Sequence, residues 1–243
     1  MDKNNHDDIR PPSPYGVYKE AMGLFEFFRL LRRFPDLAAQ PKGSREPVLV
    51  IPGYGTSDSI TGLLRFYLKY LNYMPLGWGL GRNNGKVGEL HDLLTQKFIR
   101  PEIRLKQPIN LIGWSLGGYL ARELARDYPE RVRQVITLGS PVIGGPKYTV
   151  TAGWYRRMGY DLDEIAAVVA ERNKKPLTVP ITAIYSKKDR IVSWHSCIDK
   201  FSSHVENIEV ASRHIGMPFS PEVYRIIARQ LPRQNPHPIS PAV

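Results

Sequence analysis

The sequence is poor in cysteine, in long apolar runs and in clustered metal-ligand residues. Its single cysteine, Cys197, excludes an intrachain disulfide and fits a reducing compartment. No run of about 18 apolar residues occurs, so no segment is expected to span a membrane. The opening stretch MDKNNHDDIRPPSPYG has neither a basic n-region nor an apolar h-region, which predicts no signal peptide. These features together predict a cytoplasmic location, with peripheral contact at the inner face of a membrane as an addition to it. No metal-ligand spacing is apparent, and no cofactor is expected. Basic residues are plentiful, with a net charge of +11. They are scattered in short groups and not interleaved with aromatics, so nucleic acid is not an expected partner. A length of 243 residues fits one domain with a sizeable core.

What is present centres on residues 109–118, INLIGWSLGG. The apolar run Ile109-Asn110-Leu111-Ile112 predicts a buried strand. Gly113-Trp114-Ser115-Leu116-Gly117 fits G-x-S-x-G, and Tyr119 to Ala125 has helical spacing. Strand, sharp turn and helix with a serine at the apex is the setting of a nucleophile elbow. The turn strains the serine backbone, and its flanking glycines keep that tight turn free of collisions.

Along the chain, residues 1–16 read as a disordered arm. Residues 17–46 read as an amphipathic helix, over 17–34, and a linker. Leu24, Phe27, Phe28 and Leu31 share one face of that helix, and Arg29, Arg32 and Arg33 lie away from its centre. Such a helix packs on its own domain or lies on an anionic membrane. The main domain is expected over 47–231, with a tail over 232–243. Strands are predicted at 48–51, 74–80, 109–112, 132–138, 179–185 and 205–210. Helices are predicted at 61–73, 87–100, 119–127, 162–172, 195–200 and 221–231. This alternation implies an α/β fold, with a mostly parallel sheet of about six strands flanked by helices. Residues 142–178 interrupt the rhythm where a small helical cap would be inserted. Trp78, Trp114, Trp154 and Tyr155 are candidates for an apolar pocket or for plain packing.

A serine hydroxyl needs a base, and the base needs an orienting acid. Of six histidines, His6 and His237 fall in the termini, His91 in a helix expected to face solvent, and His204 at the wrong end of the last strand. His214 stands just past the correct end of that strand, with His195 as the competitor. For the acid, Asp189 follows the fifth strand; Asp199 and Asp127 compete, the latter expected to face away. The turn Pro52-Gly53-Tyr54-Gly55 follows the first strand and offers backbone N–H groups as an oxyanion site.

LVIPGYG, GWSLGG, ITLGSP, AIYSKKDRIV and SRHIGM, in that order, make residues 47–231 resemble the α/β-hydrolase superfamily and its bacterial lipase/esterase-like serine hydrolases. The resemblance implies an α/β-hydrolase fold and hydrolysis of carboxylic esters through an acyl-enzyme. It implies Ser115 as nucleophile, Asp189 as acid and His214 as base. It also implies the amides of Tyr54 and Leu116 as the oxyanion hole, and a small-molecule or lipid ester as substrate. Acyl transfer to another alcohol and a non-catalytic binding role are the alternatives on the same fold. Two departures are visible. The strands usual before the oxyanion strand have no counterpart, and Pro52-Gly53 replaces the usual His-Gly.

Overall fold

The structure, a computed structural model, describes residues 9–99, 107–202 and 204–233. His6, His237, the side chain of Leu24, the first eight residues of the expected arm and the tail from 234 lie outside that description. Six strands form one sheet: β1 (Pro47–Ile51), β2 (Met74–Gly77), β3 (Ile109–Trp114), β4 (Val132–Leu138), β5 (Ile181–Tyr185) and β6 (Val205–Glu209). The order is β2-β1-β3-β4-β5-β6, and every neighbouring pair is parallel. The elbow strand β3 is therefore central, flanked by β1 and β4.

Continuous apolar strands follow from burial on both faces. In β1, Val48 and Val50 face one helical layer, and Leu49 and Ile51 face the other. The first layer contains α1 (Phe25–Ala38), α2 (Gly62–Tyr70) and α8 (Pro221–Gln230), which supply Leu30, Leu64, Leu68 and Ile227. The second contains α3 (Val87–Leu94) and α4 (Leu116–Asp127), which supply Leu90, Leu94, Leu120 and Leu124. Between β4 and β5 stand α5 (Ala152–Arg157), which the sequence reading missed, and α6 (Leu162–Asn173). The short α7 (Trp194–Cys197) follows β5.

The N-terminal region departs most from expectation. Residues 14–24 form a 3₁₀ helix, and the α-helix begins only at Phe25. Ile9, expected in a disordered arm, packs against Val142, Ile143 and Tyr148. The buried stripe of α1 is Glu26, Leu30 and Leu37. The predicted apolar face is turned outward instead: Phe28 is 66% and Leu31 57% exposed. The two stripes lie roughly a third of a turn apart at 3.6 residues per turn. The reason is tertiary. Gly23 lies against the backbone of Gly216, so close that a Cβ would meet the Gly216 nitrogen at 2.7 Å. That close contact and the docking of α1 on α8 fix the rotation of the helix. The helix expected over 87–100 is also shortened: α3 ends at Leu94, and a wider π turn continues to Ile99.

Candidate active site

Ser115 follows the last residue of β3 and precedes the first of α4, with φ 54° and ψ −123°. This is a sparsely populated conformation for a side-chain-bearing residue. The surroundings impose it. Its N–H donates to the Leu138 carbonyl of β4 at 2.8 Å, and its carbonyl accepts from the Gly118 N–H at 3.0 Å. A Cβ on Gly113 would collide with the backbone of Gly117, and one on Gly117 with the carbonyl oxygen of Ile51.

The turn after β1 lies beside the elbow. A Cβ on Gly53 would meet the Ser115 Cβ at 3.3 Å. Within this turn the Gly55 N–H donates to Asn83 and the Thr56 N–H to Gly53. Among the described residues no such bond uses the N–H of Tyr54. Leu116 opens α4, where a helix leaves its amides without acceptors one turn back. The turn is held by Asn83, a buried residue in a stretch whose sequence predicts only a loop. Its Nδ2 donates to the Pro52 carbonyl at 2.9 Å, and its own backbone exchanges hydrogen bonds with Gly55 and Thr56. The only sequence trace of this role is the Gly-Arg-Asn-Asn-Gly stretch that holds it.

Asp189 follows β5 and His214 follows β6, so both stand at the carboxyl edge of the sheet with Ser115. His214 Nδ1 lies 2.6 Å from Asp189 Oδ2, and both side chains are buried. Asp189 Oδ1 accepts from the N–H groups of Ile191 and Val192, both at 2.8 Å. Three bonds therefore hold the carboxylate in one orientation. The Trp114 indole N–H donates to the His214 carbonyl at 3.2 Å, fixing the histidine loop to the elbow strand.

Of the competing residues, His195 and Asp199 stand away from the Ser115 cavity, whereas His91 and Asp127 lie in its wall. His195 stacks on Trp194 at 3.6 Å between ring centroids. Asp199 pairs with Arg122 inside the core at 2.8 Å. His91, expected to face solvent, instead turns toward Asp127, with Nε2 3.1 Å from its Oδ2. Asp127, expected to face away, also accepts from Arg172 of α6 at 2.8 Å. Helices α3, α4 and α6 converge there, which draws both side chains inward.

A cavity of about 1000 Å³ joins these parts, with Ser115, Leu116, Tyr54 and His214 in its wall. The segment between β4 and β5 covers it with Tyr155, Ile165, Val168 and Val169. Of the tryptophan and tyrosine candidates, Trp114 and Tyr155 line the cavity. Trp78 is core, its indole N–H donating to the Gly81 carbonyl at 3.0 Å. Trp154 packs on Tyr54, with ring centroids 5.5 Å apart. Burial pushes the Tyr155 phenol up to about 12 and also raises that of Tyr119, so both stay neutral at ordinary pH. Burial opposes the charge on Arg172, but its hydrogen bonds to Asp127 and Glu123 outweigh that and raise its pKa. Among the described residues no group of three or more His, Cys, Asp or Glu could hold a metal ion. No helix among them is long and apolar enough to cross a membrane.

The model of the alpha/beta hydrolase fold family matches residues 48–157. That match covers less than half of the chain, whose architecture is the α/β-hydrolase fold. The chain is similar to pyrrolizixenacetamide deacetylase of Xenorhabdus hominickii, 33% identical over 26% of this chain and 24% of that protein. It is also similar to pimeloyl-[acyl-carrier protein] methyl ester esterase of Shewanella woodyi, 31% identical over 40% of this chain and 37% of that protein. The matches thus span well under half the length of these curated relatives. Among solved structures, alpha/beta hydrolase domain-containing protein 10 from mouse superposes with a TM-score of 0.56 at 20% identity, over 79% of this chain and 90% of that one.

Proposed function

We propose that this protein is a serine hydrolase that cleaves carboxylic esters through an acyl-enzyme. One observation carries the reading: a strained elbow serine and His214, whose Nδ1 lies 2.6 Å from buried Asp189, share the wall of one cavity. With Nδ1 bound to Asp189, the His214 ring offers Nε2 to the cavity. In this reading Ser115 Oγ attacks the ester carbonyl carbon while Nε2 takes its proton. Charge develops on the carbonyl oxygen, where the N–H groups of Tyr54 and Leu116 stabilise it. The imidazolium then protonates the departing alkoxide. Water, deprotonated by His214, attacks the acyl-enzyme, and the carboxylic acid leaves.

The cavity also suggests the acyl group. Ser115, just before α4, and Tyr119, Glu123 and Asp127 within it line the cavity at intervals of four residues. At about 1.5 Å rise per residue, Glu123 stands about 12 Å along the axis from Ser115. The intervening wall is apolar on the cap side, with Ile165, Val168 and Val169. Glu123, Asp127 and Arg172 then close it with paired charges. An extended chain advances roughly 1.3 Å per carbon, given C–C bonds of about 1.5 Å. That length takes roughly nine carbons, which favours a medium-chain acyl ester.

The exposed N-terminal stripe suggests where such a substrate is met. Tyr15, Tyr18, Met22, Phe25 and Phe28 are each more than half exposed. Exposed Lys19, Arg29, Arg32 and Arg33 accompany them. Aromatic and basic side chains on one arm fit an anionic lipid surface.

The test is hydrolysis of p-nitrophenyl esters from acetyl to palmitoyl by the wild type and by Ser115→Ala. Turnover lost in the mutant, with a rate maximum at medium chain length, is expected. A folded wild type that cleaves none of these esters would overturn the reading.

A further inference from the structure

We infer that Glu20 is a positioning residue for the acid and the base of the site. The inference rests on the ester-hydrolase reading and adds a part from outside residues 47–231. Glu20 sits in the 3₁₀ helix of residues 14–24 and is fully buried. One carboxylate oxygen accepts from the backbone N–H of Arg190 at 2.8 Å, and the other from the backbone N–H of Ile215 at 3.0 Å. Arg190 is the neighbour of Asp189, and Ile215 is the neighbour of His214. A single side chain therefore ties the loop of the acid to the loop of the base. Bonds from amides to a carboxylate are short and strong compared with neutral ones. A buried carboxylate costs solvation unless such bonds compensate it.

The same arm reinforces the tie on both sides. Gly16 lies against the aliphatic part of Arg190, where a Cβ would meet Cδ at 3.2 Å. Gly23 lies against Gly216, two residues past His214. The arm thus clamps both loops at the carboxyl edge of the sheet. The 2.6 Å bond between His214 and Asp189 spans those two loops. If they slide, the bond that orients the imidazole loosens, and a displacement of about 1 Å in a reacting group can cost about a hundredfold in rate.

The experiment compares wild type, Glu20→Gln and Glu20→Ala, each normalised to serine titrated with a p-nitrophenyl phosphonate. Glu20→Gln keeps the volume and one good acceptor; Glu20→Ala keeps neither. We expect kcat per titrated site to fall about tenfold in Glu20→Gln and about a hundredfold in Glu20→Ala, with KM within about twofold. The far-downfield NMR signal of the proton between His214 and Asp189 should shift or broaden in the same order. Should Glu20→Ala not fold, Glu20→Gln carries the comparison. Unchanged kcat per site with an unmoved proton signal, in folded variants, would overturn the inference. If Ser115→Ala turns over esters as fast as wild type, the ester-hydrolase reading fails by itself, and the proton signal alone decides the role of Glu20.

Discussion

Helices α4 and α1 make opposite use of their side chains. In α4, Arg122, Glu123 and Arg126 are buried, the first fully. In α1, Phe25, Phe28 and Leu31 point outward. Composition alone would have reversed the two assignments. α4 lies between the central strand and the α5–α6 segment, so its residues from Gly117 to Arg126 are all buried. Its arginines are tolerated because partners wait for them: Asp199 for Arg122, and Glu123 and Asn173 for Arg126. α1 has a single docked face, and the close approach of Gly23 to Gly216 sets which one. Burial is therefore decided by an element's place in the fold, and polarity is then accommodated or left exposed.

The largest expected effect sharpens the α4 side. Ser115→Ala, at the helix's N-terminal edge, should lower kcat for ester hydrolysis by at least about 10⁴-fold and leave the fold intact, as a circular dichroism melt would check. Next, Arg122→Ala should destabilise the protein by about 3–5 kcal/mol in urea titrations, because Asp199 is left buried without its partner. Replacing the pair together, Arg122→Met with Asp199→Leu, should recover most of that loss. Were the single and double variants equally unstable, α4 would depend on its packing and not on its ion pair.

On the α1 side the expectation is reversed. Phe25→Ser with Phe28→Ser should change stability by less than about 0.5 kcal/mol per site, as for exposed positions in general. The same pair should weaken sedimentation with anionic vesicles at low salt. Unchanged pelleting would remove the lipid-surface role of the stripe. The smallest effect concerns Glu26, on the buried side of α1. Burial raises its pKa above 4.5, and the nearby Arg29 only partly offsets this. The unfolded chain releases that proton at lower pH than the folded one. Glu26 therefore costs stability as pH rises past the ordinary carboxylate value, and the loss persists at neutral pH. Glu26→Gln should flatten stability between about pH 4 and 7, read from urea midpoints at both ends.

Much of the fold was legible because its signals are local. Short strand-like segments, most of them apolar runs, separated by helical periodicity gave all six strands within a few residues, and the sheet is parallel throughout. Gly113 and Gly117 announced the tight turn around Ser115, since a side chain at either position would meet backbone. Asp189 and His214 could be singled out because both follow strands, and a parallel sheet gathers such positions at one edge. The inward turn of His91 and Asp127 was not legible, because it depends on helices α3, α4 and α6 meeting at the cavity.

The sequence by itself determined the alternation of strands and helices, the strand–turn–helix around Ser115, and the positions of Asp189 and His214 after later strands. Each is written in neighbouring residues or in the period of an element. The tertiary structure alone decided which face of α1 is buried, that Asn83 braces the turn at Tyr54, and that Glu20 reaches the loops of Asp189 and His214. The partners of Glu20 lie 170 and 195 residues away along the chain. A buried carboxylate accepting two distant backbone N–H groups leaves no periodicity or spacing to read, because those donors are common to every residue but proline.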